Sequence, residues 1–275
     1  MRLTERQLAM LREMRIPFVP GLPAARAAEP PVAPAVAPPV ASPVASPTQP
    51  GRQPDLARPA PAPAPVSDPS TGARVSAMDW TALREAASAC QACALGATRK
   101  QAVFGVGSQR AHWMIVGEAP GEQEDLRGEP FVGAAGQLLD AMLRAVGLTR
   151  TDEPGGEPAR QVYIANTLKC RPPRNRNPER EEMQRCEPFL VRQIELLRPR
   201  LILAMGRFAV QSLLRTEEPI GRLRGRVHHY QGVPVVVTYH PAYLLRNLPD
   251  KAKAWEDLCL ALQTMQELAG GDLTG

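Results

Sequence analysis

The chain has 275 residues, which is enough for one large domain or two domains of ordinary size. Of its 30 prolines, 17 lie between residues 17 and 69, so the proline excess belongs to one segment and not to a fold. No run approaches the roughly 18 apolar residues of a membrane span, and residues 1–16 lack the apolar stretch of a secretory signal. We therefore expect neither a membrane protein nor a secreted one, and place the chain in the cytoplasm.

The chain is basic, with 33 Lys and Arg against 28 Asp and Glu and a formal net charge of +5. Residues 1–75 carry 8 of the basic and 5 of the acidic side chains, which leaves 25 and 23 for the rest. Because that remainder is nearly neutral, net charge alone does not indicate nucleic-acid binding. Basic side chains do cluster in two predicted loops, where they fit either phosphate contacts or solvated surface. The clusters are Lys169, Arg171, Arg174, Arg176 and Arg180, then Arg222, Arg224 and Arg226.

Three segments follow one another along the chain. Residues 1–16 place their apolar side chains on one face of a helical wheel, which predicts a short amphipathic helix. Residues 17–75 are rich in proline and alanine, and because proline removes backbone donors we predict a semi-stiff, disordered linker. Such a helix does not hold itself folded in water, so it is frayed, docked on the body or bound to a protein partner, and the proline-rich tail is a spacer or a second ligand for such a partner. Residues 76–275 form the predicted folded domain.

Strands and helices alternate in this domain. Buried strands are predicted from apolar runs at 112–117, 161–166 and 200–205, and a hairpin centred on Gln231–Gly232 delivers a last strand into His240. A helix runs into the first cysteine pair, and further helices are predicted at 134–148, 178–197, 206–214 and 248–268. The alternation predicts a three-layer α/β/α sandwich with a mostly parallel central sheet. Ligands of such sheets bind beyond the carboxyl ends of the strands, in loops that begin here at Gly117, Asn166, Gly206 and His240.

Five cysteines are present. Cys259 has apolar neighbours in the last predicted helix, which indicates a buried structural thiol. The other four form a C-x2-C pair and a C-x15-C pair, namely Cys90, Cys93, Cys170 and Cys186. Four thiolates suit a zinc ion or an iron–sulfur cluster, and the spacing does not separate the two. Four unrelated reduced cysteines are the other interpretation, since disulfides are disfavoured in a chain without an export signal.

Polar and aromatic side chains gather in the predicted strand-end loops. The first loop is rich in glycine and proline, which form tight turns and bring backbone donors close to a small planar ligand. Phe131 in this loop offers a ring for stacking, or packs in the core. The Asn166 amide carries a donor and an acceptor that fit one edge of a base, although an amide at a strand end is often a cap. His240 ends the last strand.

The motifs GEAPGEQED, FVG-x-AGQLLD, VYIANTLKCRPPRNRNPE and HPAYLLR stand in this order along the chain, together with the four-cysteine pattern. Together they resemble the family 4, iron–sulfur uracil-DNA glycosylases of bacteria and archaea, over roughly residues 79–267. The resemblance implies a uracil-DNA glycosylase-like fold, a 4Fe-4S cluster on the four cysteines, and uracil-containing DNA as the substrate. It further implies a monofunctional enzyme of base excision repair, at work on the nucleoid and expected to be a monomer.

The resemblance also assigns roles to residues. The enzyme extrudes deoxyuridine from the duplex, Phe131 stacks on the uracil, and Asn166 reads its O4/N3 edge. His240 would hydrogen-bond uracil O2, where negative charge develops as the N-glycosidic bond breaks. Leu244 matches the position that wedges into the vacated stack. Other expected contacts are Ala119 and Gly121 with the base, and Arg171, Arg174, Arg176 and Arg246 with DNA.

Two features depart from the best-known uracil glycosylases. Their motif aspartate corresponds here to Ala119, so Glu118 is the candidate that places the water. Glu124 and Asp125 lie downstream in the same loop and are either alternatives for this role or residues that organise the loop. Their bulky residue that excludes thymine corresponds to Gly121, so another wall of the pocket must exclude the thymine methyl group. The loop 171–179 lacks the histidine-bearing insertion of a covalently binding relative, so we expect multiple turnover.

Two other functions compete with this one. The first is a DNA-binding module with a cluster or zinc and little catalysis, such as a polymerase-associated factor that uses the proline-rich tail as a tether. The second is the same fold acting on another damaged base. A pure binding module has no reason to place Glu118, Phe131, Asn166 and His240 together at strand ends, so the pattern favours the glycosylase.

Overall fold

A computed structural model describes residues 74–271 of the chain. The predicted helix 1–16 and nearly all of the predicted linker 17–75 lie outside the described residues. Val75 is only 2% exposed and packs with Leu83 and Phe104, so the packed core of the described body already includes it.

Within residues 74–271, the strands form one six-stranded sheet. They are β1 (Val106–Gly107), β2 (Trp113–Gly117), β3 (Val162–Asn166), β4 (Leu201–Met205), β5 (Val227–Tyr230) and β6 (Val233–Thr238). Their order across the sheet is β1-β3-β2-β4-β6-β5. The four inner strands β3, β2, β4 and β6 are parallel, while β1 and β5 are antiparallel edge strands.

The α-helices of the described residues connect the strands. They are α1 (Trp80–Ala89), α2 (Leu95–Thr98), α3 (Glu122–Arg127), α4 (Ala134–Ala145), α5 (Arg180–Leu197), α6 (Arg207–Leu214), α7 (Ile220–Leu223), α8 (Pro241–Leu244) and α9 (Asp250–Gly271). Short 3-10 turns lie at Pro158–Arg160 and Pro173–Asn175. None of these helices has the length and apolar composition that a membrane crossing requires.

The predicted three-layer architecture is confirmed by the way the strands divide their side chains. Successive residues of a strand point to opposite faces, so Trp113 and Ile115 of β2 pack into one layer and Met114 and Val116 into the other. Helices α4 and α9 cover the first face, and α5 and α6 cover the second. Because both faces are covered, β2, β3 and β4 are buried along their whole length.

The parallel strands bring the predicted loops to one edge of the sheet. Gly117 pairs in register with Asn166, and Met205 pairs with Thr238, so the segments that follow β2, β3, β4 and β6 leave the sheet side by side. The predicted hairpin is confirmed, since Gln231 and Gly232 both have positive φ and join β5 to β6 as a two-residue turn.

Candidate active site

A cleft of about 740 Å³ opens at the carboxyl edge of the sheet. It brings together side chains from the loops after β2, β3 and β6, as the topology predicts. The predicted site residues that line it are Glu118, Ala119, Gly121, Phe131, Asn166, Arg176, His240 and Arg246. A volume of this size accommodates a base and part of its sugar.

The His240 ring is held as a neutral hydrogen-bond donor. Its Nδ1 accepts from the backbone N–H of Ala242 at 3.2 Å, at the start of α8. Because Nδ1 is the acceptor, the proton of the neutral ring sits on Nε2. Burial lowers the pKa of His240 to about 4, with Arg246 lowering it further and Glu124 opposing the shift. The ring is therefore neutral at physiological pH.

The Phe131 ring lies against this histidine. The two ring centroids are 5.3 Å apart and the planes are inclined by 28°, and Phe131 is only 5% exposed although it lines the cleft. Gly117 leaves room for the Phe131 ring and the Asn166 amide beside the end of β2. A Cβ at this position would lie 2.7 Å from Phe131 Cζ and would also collide with the Asn166 amide. The Phe131 side chain thus packs in the core and also lines the cleft.

Asn166 carries an unsatisfied acceptor. The residue is 2% exposed, and its Oδ1 has no hydrogen-bond partner among the described residues. A buried polar atom left without a partner costs about 1–3 kcal/mol, and such atoms concentrate where a ligand completes the bond. Asn166 lines the cleft, with its Oδ1 beside Gly117, so an N–H donor that reached this oxygen would satisfy it.

The three acidic candidates have different surroundings. Glu124 is engaged by backbone donors, with one carboxylate oxygen accepting from Val132 and Gly133 at 3.0 and 3.1 Å and the other from Gly121 at 3.1 Å. Asp125 is 3% exposed and accepts from the backbone N–H groups of Lys100 and Gln101.

These bonds organise the loop. Glu118 and Glu124 both line the cleft, but the Glu124 carboxylate is held by backbone donors, so Glu118 is the cleft carboxylate that these loop bonds do not engage. Burial raises the pKa of Glu118, and the guanidinium of Arg207 opposes that shift. Glu118 is therefore the carboxylate best placed to act on a ligand.

The predicted DNA-contacting arginines divide into two kinds. Arg176 makes two hydrogen bonds to Glu182, at 2.6 and 2.9 Å, and Arg171 bonds Asn175 and Glu122, so both hold the loop after β3 in shape. Arg174 and Arg246 are exposed, which leaves their guanidinium groups accessible to a phosphate backbone.

The prediction that Leu244 contacts DNA is wrong. Leu244 is 1% exposed, because the short helix α8 turns it into the core cluster beneath the cleft. Its neighbour Leu245 is 42% exposed at the end of that helix, and Leu248 is 58% exposed. Leu245 is therefore the leucine of this motif that is accessible to DNA.

The four paired cysteines lie close to one another. None of the five cysteines is in a disulfide. Cys170, Cys93 and Cys186 pack in one cluster, and Cys90 and Cys186 both pack against the adjoining one. The fifth, Cys259, is half-buried, which is less burial than predicted.

Positively charged groups flank the cysteine cluster. Arg99 donates to Cys170 Sγ at 2.9 Å, and the buried Lys169 donates its backbone N–H to Cys186 Sγ at 3.2 Å. Burial raises the pKa of Cys186 to about 12, so a bound cation is needed to keep such a thiol ionised. The Lys169 ammonium itself donates to Asn166 O and Gln193 Oε1, so the contacts to sulfur come from one guanidinium and one backbone N–H. Four sulfurs with such donors have the chemistry of a thiolate-ligated centre. Among the described residues, no group of three or more His, Cys, Asp or Glu side chains is arranged to hold a metal ion.

Comparison with known proteins identifies the family. The family model described as the uracil-DNA glycosylase superfamily matches residues 104–259. The chain belongs to this superfamily. It is 46% identical over 164 residues to a type-4 uracil-DNA glycosylase of Archaeoglobus fulgidus, a match that spans 57% of this chain and 78% of the relative. It is 42% identical over 193 residues to a type-4 uracil-DNA glycosylase of Pyrobaculum aerophilum, a match that spans 66% of this chain and 93% of the relative.

These matches confirm the family resemblance that the sequence motifs carry. Most of the residues that line the cleft lie in the segments that carry the sequence motifs of this glycosylase family. A type-5 uracil-DNA glycosylase of Pyrobaculum aerophilum is more distant, at 34% identity over 149 residues, covering 51% of this chain and 66% of the relative.

Two arginines were not predicted from the sequence, one that lines the cleft and one that supports the Phe131 loop from outside it. Arg207 lines the cleft directly after Gly206, and its position after a predicted strand was the signal that could have found it. Arg150 donates to the backbone of the Phe131 loop from the far end of the α4 connection. No spacing rule links these two segments, so sequence gave no signal for Arg150.

Proposed function

We propose that this chain is a monofunctional type-4 uracil-DNA glycosylase that hydrolyses the N-glycosidic bond of uracil in DNA and leaves an abasic site. The observation that carries the proposal is a pair of groups in one cleft. The buried, unsatisfied acceptor of Asn166 and the neutral Nε2–H donor of His240 complement the N3–H donor and the O2 acceptor of uracil.

Recognition follows from this pairing. Asn166 Oδ1 accepts from uracil N3–H, and its amide nitrogen donates to O4. Cytosine presents an acceptor at N3 and an amine at C4, which inverts both bonds. A site built to hydrogen-bond one base rejects the mismatched one strongly, because its buried groups would stay unpaired.

Thymine exclusion falls to Glu124. A Cβ at Gly121 would lie 2.7 Å from Glu124 Oε2, so the Glu124 carboxylate occupies the space that a bulky side chain at position 121 would fill. Three backbone N–H groups fix this carboxylate, so it forms a stiff wall against a 5-methyl group.

Two groups of the cleft carry catalysis, the His240 donor and the Glu118 carboxylate. As the bond between C1′ and N1 breaks, its electron pair moves onto uracil and charge builds on O2, which the Nε2–H of His240 stabilises. One such preorganised donor is worth about 3–4 kcal/mol in the transition state. The Glu118 carboxylate stabilises the sugar cation, orients the water that attacks C1′ and receives its proton.

The four paired cysteines would hold a 4Fe-4S cluster. When bound, the cluster supplies a cross-link between the segment before β1, the loop after β3 and helix α5. That cross-link fixes the basic loop 171–178, which carries the exposed Arg174 toward DNA. The hydrolysis itself depends on the side chains of the cleft.

With chromosomal DNA as the substrate, we propose that the protein works in the cytoplasm on the nucleoid. We also propose that it acts as a monomer, since a single chain contains every group named above. Residues 1–75 would then serve as a tether or as a ligand for a protein partner.

Alkali-induced strand scission tests the proposal. An oligonucleotide with one uracil is incubated with the protein and then treated with alkali, which cleaves at abasic sites. Scission is expected at the uracil, and matched oligonucleotides with cytosine or thymine at that position are expected to stay intact. An intact uracil strand would refute the glycosylase, and equal scission at thymine would refute the role given to Glu124.

A further inference from the structure

We propose that Arg150, which lies outside every motif of the family resemblance, is a positioning residue that fixes the Phe131 ring for stacking on the extruded base. The inference rests on the proposed function and adds a residue to it. Arg150 Nη1 donates to the carbonyl of Pro130 at 2.9 Å, and Nη2 donates to the carbonyl of Phe131 at 2.7 Å. One guanidinium thus grips the two peptide groups that flank the Phe131 Cα.

The grip acts on a strained conformation. Phe131 has a φ of 55°, in the left-handed region that bulky side chains rarely adopt. Such a residue persists only where the surroundings over-determine it, and these residues concentrate at functional sites. Without Arg150, Phe131 would relax toward negative φ and its ring would turn away from His240.

The remainder of the loop is held from the other side. Glu124 accepts from the backbone N–H groups of Val132 and Gly133. The Arg150 guanidinium therefore binds the carbonyl groups of the loop, and the Glu124 carboxylate binds its N–H groups. Gly136 allows the Phe131 carbonyl to lie against α4, since a Cβ there would collide with it. Arg150 and Glu124 thus both bind the peptide group between Phe131 and Val132, and each also binds one neighbouring peptide group.

Arg150 is itself oriented and only slightly exposed. Its Nε donates to Asp140 Oδ1 at 2.7 Å, Glu129 lies 3.5 Å away, and 14% of its side chain is exposed. A guanidinium offers donors in a planar fork and therefore serves two carbonyls and a carboxylate at once, which a lysine ammonium does less well. Asp140 lies on α4, so the rigid helix sets the position of the fork.

A double-mutant cycle tests this role. Single-turnover excision of uracil is measured for wild type, Arg150→Met, Phe131→Ala and the double variant. Because misplacement of a positioned group costs on the order of 10- to 100-fold in rate, Arg150→Met is expected to fall in that range. In the Phe131→Ala background the same change should cost almost nothing, because the ring that Arg150 positions is gone.

Two further readouts separate positioning from general support. Hydrogen exchange of the backbone amides of residues 131–133, measured without DNA, should speed up in Arg150→Met while exchange in the central strands stays at the wild-type rate. Inhibition by free uracil should weaken in parallel with the excision rate. Arg150→Lys, the conservative variant that keeps the charge, should restore part of both.

The matched control is Arg160→Met, which removes an arginine whose side chain is 75% exposed and pairs with the exposed Glu157. It should excise uracil at the wild-type rate. A wild-type rate in Arg150→Met, or losses that multiply in the double variant, would overturn the positioning role while leaving the glycosylase intact. An inactive wild type would instead refute the proposed function. If Arg150→Met fails to fold, the same cycle is run with Arg150→Lys, whose smaller loss should again vanish in the Phe131→Ala background, and losses that multiply would overturn the role.

Discussion

Leu244 and Leu245 are adjacent in sequence and have opposite surroundings, which lets two single substitutions separate folding from DNA contact. Leu244→Ala removes a side chain that is 1% exposed in the core, so the free energy of unfolding should fall by about 2–5 kcal/mol. Leu245→Ala removes an exposed side chain and should change stability by less than about 0.5 kcal/mol.

Excision from duplex DNA should nevertheless drop in Leu245→Ala, because the wedge that fills the vacated stack is gone. Excision from single strands, where no stack has to be refilled, should change little. Urea unfolding together with the two excision assays checks this pair, and a stable Leu244→Ala variant that fails only on duplex DNA would reverse the assignment.

The buried His240 ring makes stability depend on pH. Its pKa is about 4 in the folded state, against 6.5 for an ordinary histidine. Between these values the unfolded chain binds a proton that the folded chain does not, so stability falls as the pH falls from 6.5 to 4. The shift corresponds to a loss of about 3 kcal/mol at most.

Urea unfolding at about pH 7 and about pH 4.5 compares wild type with His240→Gln. Wild type should lose more stability on acidification than the variant, which has no proton to take up. An equal loss in the two proteins would mean that the ring is not held neutral by burial.

At the scale of elements, the sequence predicted the scaffold better than the site. The apolar runs predicted at 112–117, 161–166 and 200–205 are the strands Trp113–Gly117, Val162–Asn166 and Leu201–Met205, because a strand covered on both faces is apolar along its whole length. The segment Glu122–Arg127 is a helix, although its sequence predicts part of a loop. The helix could not be predicted because its acidic residues show no apolar periodicity.

Among the predicted cleft residues, Asn166 and His240 are the two whose positions follow from the strands. Asn166 is the last residue of β3, where its pairing with Gly117 fixes it at the edge of the sheet. His240 was predicted to end the last strand, but β6 ends at Thr238 and His240 lies two residues further on, where it caps α8. The choice between Leu244 and Leu245 depends on the rotation of one helical turn, too short for a periodic pattern. Arg150 could not be found, since its contacts depend on how two loops meet in space.

The cysteine-bearing elements give a prediction about the cofactor. Purified protein should be yellow-brown, with broad visible absorption and iron in metal analysis. Cys170→Ala should bleach the colour, loosen the loop 171–178 and weaken DNA binding, because one ligand of the proposed cross-link is lost. Cys259→Ala is the control and should keep colour and binding, since Cys259 lies in α9. One zinc without iron would refute the cluster.

At the scale of the whole molecule, every residue named for the cleft lies between positions 118 and 246. Deleting residues 1–73 should therefore leave excision on short oligonucleotides within a few-fold of the full chain. The comparison is made under single-turnover conditions with the intact chain as control. A loss of several orders of magnitude would show that the amino-terminal residues complete the site.

The central claim is that the cleft accelerates hydrolysis by stabilising charge on uracil O2, and His240→Ala tests it most directly. The single-turnover rate at saturating enzyme should fall on the order of 10²–10³-fold, because one preorganised donor is lost. Affinity for uracil-containing DNA should change far less, since phosphate contacts dominate binding. If His240→Ala excises uracil at the wild-type rate, the histidine is structural and the electrostatic account is contradicted.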